Sequence, residues 1–78
     1  MMATICYGDT VTITMNAPER YRPGLTGSAC GFRTVVSEKE SRAVDEPVGT
    51  PLWLVEYPDG RAMEVPAYYL VKKSETVT

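Results

Sequence analysis

Leu52-Trp53-Leu54-Val55-Glu56-Tyr57-Pro58-Asp59-Gly60-Arg61-Ala62-Met63-Glu64-Val65 is the stretch that decides the fold. Its two flanks are rich in the aromatic and β-branched residues that suit a pleated, half-buried surface. Pro58-Asp59-Gly60 between them has the chemistry of a three-residue hairpin loop: a type I turn followed by glycine in the left-handed region. That loop sets Val55 opposite Met63 and Trp53 opposite Val65. Side chains alternate along a strand, so Trp53, Val55, Tyr57, Met63 and Val65 share one face, which is assigned to the core. Leu54, Glu56, Ala62 and Glu64 share the other. Leu52 and Leu54 make the first strand apolar on both sides, although a barrel has only one inside. Either they lie under the charged stretch that precedes them, or they form an exposed patch that a second copy covers, giving a homodimer.

Upstream, Thr10-Val11-Thr12-Ile13-Thr14-Met15 alternates cleanly and predicts a strand with Val11, Ile13 and Met15 inward. Gly8-Asp9 before it reads as a turn, and Thr4-Ile5-Cys6 as a short extra strand or an ordered tail. Residues 16–27 carry Pro18, Pro23, Gly24 and Gly27, which exclude a regular element and give a long first loop. Gly27 marks a bulge or a close backbone crossing. A second strand is expected over 28–37, bent at Gly31. Residues 38–50 carry Glu38, Lys39, Glu40, Arg42, Asp45 and Glu46 without an aromatic side chain, and read as a solvated, mobile loop with room for a short helical turn. Downstream, Pro66-Ala67-Tyr68-Tyr69 predicts a 3₁₀ turn, Leu70-Val71-Lys72-Lys73 a last short strand, and residues 74–78 a frayed tail. Five short strands over about 8–73 describe a single all-β domain, a small closed or partly closed barrel.

Composition narrows the chemistry. A chain of 78 residues buries only roughly 60% of its unfolded surface, so one compact core is all it can build. A net charge of −2 and a pI near 5.0 disfavour a dedicated grip on a phosphate backbone. Without histidine there is no histidine-activated nucleophile and no histidine metal ligand. Cys6 and Cys30 cannot build a four-thiolate zinc site; they are expected as buried, inert thiols, with a Cys6–Cys30 disulfide as the alternative. Asp45-Glu46 is the one acidic pair adjacent in sequence, and it falls in the charged loop. Gly24-x-x-Gly27 lacks the lysine and following helix of a phosphate cradle. Neither a cofactor nor a metal is expected. No stretch approaches the ~20 apolar residues of a membrane span, and the first residues lack a secretion signal's basic and apolar regions, so a cytoplasmic protein is the expectation.

Gly8-Asp9-Thr10-Val11-Thr12-Ile13, the Pro-, Arg- and Tyr-containing loop ending in Gly24 and Gly27, Leu52 to Tyr57, and Val65-Pro66-Ala67-Tyr68-Tyr69-Leu70 together resemble one known group. It is the SH3-like barrels of the electron-transport accessory group, which includes the C-terminal part of the nitrile hydratase β subunit and the small photosystem I subunit that helps dock ferredoxin. The resemblance implies a five-stranded SH3-like barrel with a long first loop and a 3₁₀ turn before the last strand. It also implies an accessory or docking role. Nitrile hydratase activity does not follow: the helical half of that subunit is missing, and Arg20 and Arg22 are the only counterparts to its metal-ward arginines. The Ala-Leu-Tyr-Asp-Tyr segment of signalling SH3 domains is also absent.

The expected site is aromatic and basic: Arg20, Tyr21 and Arg22 in the first loop, with Tyr57, Arg61, Tyr68 and Tyr69. Tyrosine and arginine dominate binding hot spots because they bury large area at limited entropic cost. The plainer alternative is that Tyr57 and one of Tyr68 or Tyr69 complete the core. The functional expectation is a non-catalytic interaction module or accessory subunit that docks a partner protein through its first loop. A nucleic-acid-binding small barrel, stacking bases on Tyr21 beside Arg20, Arg22 and Arg33, is the alternative.

Overall fold

A computed structural model describes residues 5–73. Five strands form one antiparallel sheet: β1 (Thr10–Ile13), β2 (Thr26–Thr34), β3 (Pro51–Glu56), β4 (Ala62–Pro66) and β5 (Leu70–Lys72). They are ordered β4-β3-β2-β1-β5. The all-β architecture is as expected. The order is linear, with β4 and β5 at opposite edges, so by hydrogen bonding this is an open sheet and not a closed barrel. The expected tail over 74–78 and Thr4 lie outside the described residues; Ile5 and Cys6 carry no strand.

The β3–β4 hairpin has the register its loop dictates, Val55 opposite Met63 and Trp53 opposite Val65. Gly60 sits at φ +88°, and Tyr57 N donates to Arg61 O at 2.7 Å to close the loop. The nine-residue β2 pairs with β1 at its start and β3 along the rest, shifting register between Ala29 and Gly31. At Gly27 β2 passes close against β3. A Cβ there would stand 2.5 Å from the Glu56 carbonyl oxygen, so only glycine permits the crossing.

The core gathers Val11, Ile13, Tyr21, Trp53, Val55, Tyr57 and Val65, with Met63 partly buried against it. Met15 is a correction. β1 ends at Ile13, the chain turns as Ala17 N donates to Thr14 O, and Met15 is left 78% exposed. Both cysteines are also corrected. Cys30 sits at the register shift, turned off the inward face next to buried Ala29, and Cys6 lies in the turn before β1; both are exposed and free.

Residues 38–50 are not all loop. Ser37 caps a helix, α1 (Glu38–Val44), by accepting from Glu40 N. The segment folds back on itself: Val35 N donates to Thr50 O and Gly49 N to Val35 O. Arg33 of β2 ties α1 to the outer face of the sheet, pairing with Glu40 of α1 and with both Glu64 oxygens of β4. On that face Leu52 is only 1% exposed and Val35 and Pro66 are equally buried, while Leu54 is half-buried. Of the two alternatives for this leucine pair, burial within the chain holds at Leu52 and only in part at Leu54. No helix among the described residues is long and apolar enough to cross a membrane.

Candidate docking edge around Glu46

The first loop is shaped by its prolines. Pro18 leads into a 3₁₀ turn over Glu19–Tyr21, closed by Tyr21 N to Pro18 O and Arg22 N to Glu19 O, both 2.9 Å. Arg22 then takes the left-handed conformation at φ 60°, ψ 67°, which is sterically costly for a non-glycine residue. A second 3₁₀ turn, Ala67–Tyr69, follows Pro66. The two turns meet through their aromatic rings: Tyr21 and Tyr69 centroids are 5.9 Å apart, and Tyr69 and Tyr68 4.7 Å in edge contact.

Glu46, just beyond α1, joins them. Its carboxylate is 8% exposed and accepts three hydrogen bonds from distant parts of the chain. One oxygen receives Tyr21 Oη at 2.7 Å and Arg20 Nη2 at 3.0 Å; the other receives Tyr68 Oη at 2.7 Å. A buried carboxylate without such partners would be costly, and here the donors include a cation. The Arg20 guanidinium also lies over the Tyr21 ring, 4.6 Å from its centroid, and reaches Asp45 Oδ2 at 3.7 Å. Both phenols are held neutral. Tyr21 is pushed up to about 12, first by burial and then by donation to Glu46. Tyr68 rises to about 12 for the same two reasons with the hydrogen bond foremost.

The expected site residues thus divide. Arg20, Tyr21, Tyr68 and Tyr69 assemble around Glu46, but Tyr21 is core, 4% exposed, with Tyr68 and the Arg20 head outward. Arg22 turns instead toward Tyr57, its guanidinium 5.9 Å from the ring centroid. Tyr57 is buried at 4% exposure, as in the plainer alternative, and its burial raises its hydroxyl pKa. Arg61 joins neither group; its side chain stays with Asp59 at 3.9 Å on the exposed hairpin. Glu46 itself was not expected. Its donors stand 22 to 26 residues away in sequence, and no local pattern marks it. Among the described residues no three His, Cys, Asp or Glu side chains gather as a metal ion would require.

Fold and site define a small all-β domain whose first loop and closing turn are fastened together by one buried carboxylate. Searches of protein-family models, of characterised proteins and of solved structures find no match to this chain.

Proposed function

We propose that the chain is a protein-interaction module, an accessory subunit or docking domain, whose binding edge is built from the fastened first loop and closing turn. The observation that carries this reading is the Glu46 network. It holds an exposed tyrosine and an exposed guanidinium in fixed positions, Tyr68 being 52% and the Arg20 side chain 46% accessible. Side chains ordered before contact lose less entropy when a partner binds, and tyrosine and arginine are well suited to such anchoring. Met15, exposed where β1 gives way to the first loop, adds an adaptable apolar side chain on the loop's own side. Strand order and the 3₁₀ turn before β5 support reading the fold as SH3-like, with kinship to the electron-transport accessory group as part of the proposal.

Site-specific photo-crosslinking in the cells that make the protein tests the edge. A photoreactive residue at Met15 or Tyr68 should give a discrete adduct with one partner protein, and the same residue at Val36 none. Equal labelling from both places, or none from the edge, overturns the reading. Salt-dependent binding of single-stranded RNA or DNA at low ionic strength would replace it with the nucleic-acid alternative.

A further inference from the structure

β2 is longer than either of its neighbours. Its start pairs with β1 over Thr26 to Ser28, and Ser28 to Thr34 pair with β3, so beyond Ala29 one side of β2 has no strand beside it among the described residues. One end of this free side is closed at Ala29, which accepts from Gly8 N and donates to Asp9 O. The other is closed at Val36, whose N–H donates to the Glu40 carboxylate of α1 at 3.3 Å. Between these ends the hydrogen-bonding phase is set by Val35, whose N–H donates to Thr50 O and whose carbonyl accepts from Gly49 N. Main-chain groups alternate in direction along an antiparallel strand, so Arg33 faces β3 while Phe32 and Thr34 turn theirs away from it. Pro51, which has no N–H, stands opposite Thr34, where that phase asks it for none. Phe32 adds an independent observation. It lies opposite Trp53, and its ring and that of Tyr7 both rest on Trp53, with centroids 4.9 and 5.4 Å away. Both rings stay uncovered, Phe32 at 46% exposure and Tyr7 at 68%. Unpaired main-chain groups and bare aromatic surface therefore meet in one place.

We propose that the free side of β2 over residues 30–34 binds an extended segment of a protein partner, which joins the sheet as one more antiparallel strand. Phe32 and Thr34 supply two donors and two acceptors for it. The partner residue opposite Phe32 projects on the same face of the sheet, over the Phe32 and Tyr7 rings, and is aromatic or aliphatic. Its two neighbours project to the other face. There Arg33 is shared between Glu64 and Glu40, one cation against two carboxylates, so lysine or arginine is charge-complementary at those positions. A second copy of the chain fits less well, because this edge is only about 17 Å long and cannot by itself bury the roughly 1,200 Å² of a stable dimer. The proposal rests on the reading of the domain as an interaction module. It uses no residue of the Glu46 network, so the two stand or fall separately.

The test follows amide exchange and chemical shifts of the full ¹⁵N-labelled chain, alone and with the peptide N-acetyl-Thr-Lys-Phe-Lys-Thr-amide. In the free chain the Phe32 and Thr34 amides should exchange at least about tenfold faster than those of Arg33 and Val35. The peptide should give saturable shifts centred on residues 30–34 and Tyr7, and should slow exchange at Phe32 and Thr34. Methylating the nitrogen of the peptide's phenylalanine keeps the side chain and removes a donor, and should weaken binding about tenfold or more. Thr34→Pro removes an N–H that the sheet does not use and should weaken binding to the same extent. Phe32→Thr keeps a strand-forming residue and should weaken it about three- to tenfold. Tyr68→Ala, which disturbs the other edge, should leave the titration unchanged. Slow exchange at Phe32 and Thr34 before peptide is added overturns the proposal, because the edge is then already covered by the chain itself or by a second copy. So does failure to saturate, equal binding of the methylated peptide, or shifts of the same size around Asp59. Saturable binding together with silent crosslinking at Met15 and Tyr68 would keep this edge and discard the Glu46 edge.

Discussion

Replacing Glu46 with alanine removes the acceptor shared by Tyr21, Tyr68 and Arg20. The Tyr21 hydroxyl is buried and has no other partner at hand, and stranding such a donor costs about 1–3 kcal/mol. Tyr68 is half exposed and can turn to water, so its loss adds at most about 1 kcal/mol. Relief of the carboxylate's own desolvation acts the other way, but with three donors in place the hydrogen bonds should outweigh it. The expected destabilisation is about 2–4 kcal/mol, against a total of about 4–12 kcal/mol for a domain this size. At about 4–8 °C per kcal/mol, the melting midpoint should fall by about 8–32 °C. Tyr21→Phe removes a donor without stranding the carboxylate and should cost only about 0.5–1.5 kcal/mol. The assay is urea denaturation of the wild type, both single variants and the double variant. Because the two side chains share one bond, the double variant should be more stable than additivity predicts, by about 1 kcal/mol. Glu46→Ala within about 0.5 kcal/mol of wild type, or strict additivity with Tyr21→Phe, refutes the network as a source of stability.

Three further outcomes follow from the same structure. Tyr21 and Tyr68 titrate near 12 in the fold against an ordinary value of 10.0, so their contribution is complete below pH 10 and disappears as pH rises through 12. Circular dichroism should show stability falling across that window, less steeply in Tyr21→Phe/Tyr68→Phe, with a remainder from Tyr57, whose pKa is also raised. Gly27→Ala drives a methyl against the Glu56 carbonyl and should cost more than about 2 kcal/mol in urea, with β3 amides near Glu56 exchanging faster. Met15→Ser should fall within about 0.5 kcal/mol of wild type, whereas Ile13→Ala, at a site with no exposure, should cost about 2–5 kcal/mol.

What could be read in the sequence was what neighbouring residues enforce. The Pro58-Asp59-Gly60 loop fixes the β3–β4 register because turn chemistry and strand alternation act over a few residues. Gly27 announced a close crossing for the same reason, since only a missing side chain allows it. Met15 failed because alternation does not reveal where a strand stops, and the turn at 14–17 sends it outward. Cys30 failed because its residue type does not tell its face: it follows inward Ala29 on the strand and so stands outward, at the point where the register shifts. The helix at 38–44 had a visible start, Ser37 followed three residues later by Glu40, the pattern of a capping box; the density of charges around it hid the signal. Glu46 had no local signal at all. A buried carboxylate looks like any solvated one until the fold brings two phenols and a guanidinium to it.

The open sheet has a consequence for self-association. With β4 and β5 at its edges, the chain presents two strands that a neighbouring molecule could extend, the usual route to edge-to-edge aggregation. Each edge is poor at it. β4 ends in Pro66, whose nitrogen cannot donate, and carries the charged Glu64–Arg33 pair beside it. β5 is three residues long, too short to template a stable partner strand. The domain tolerates unclosed edges by making both of them unattractive to a further strand.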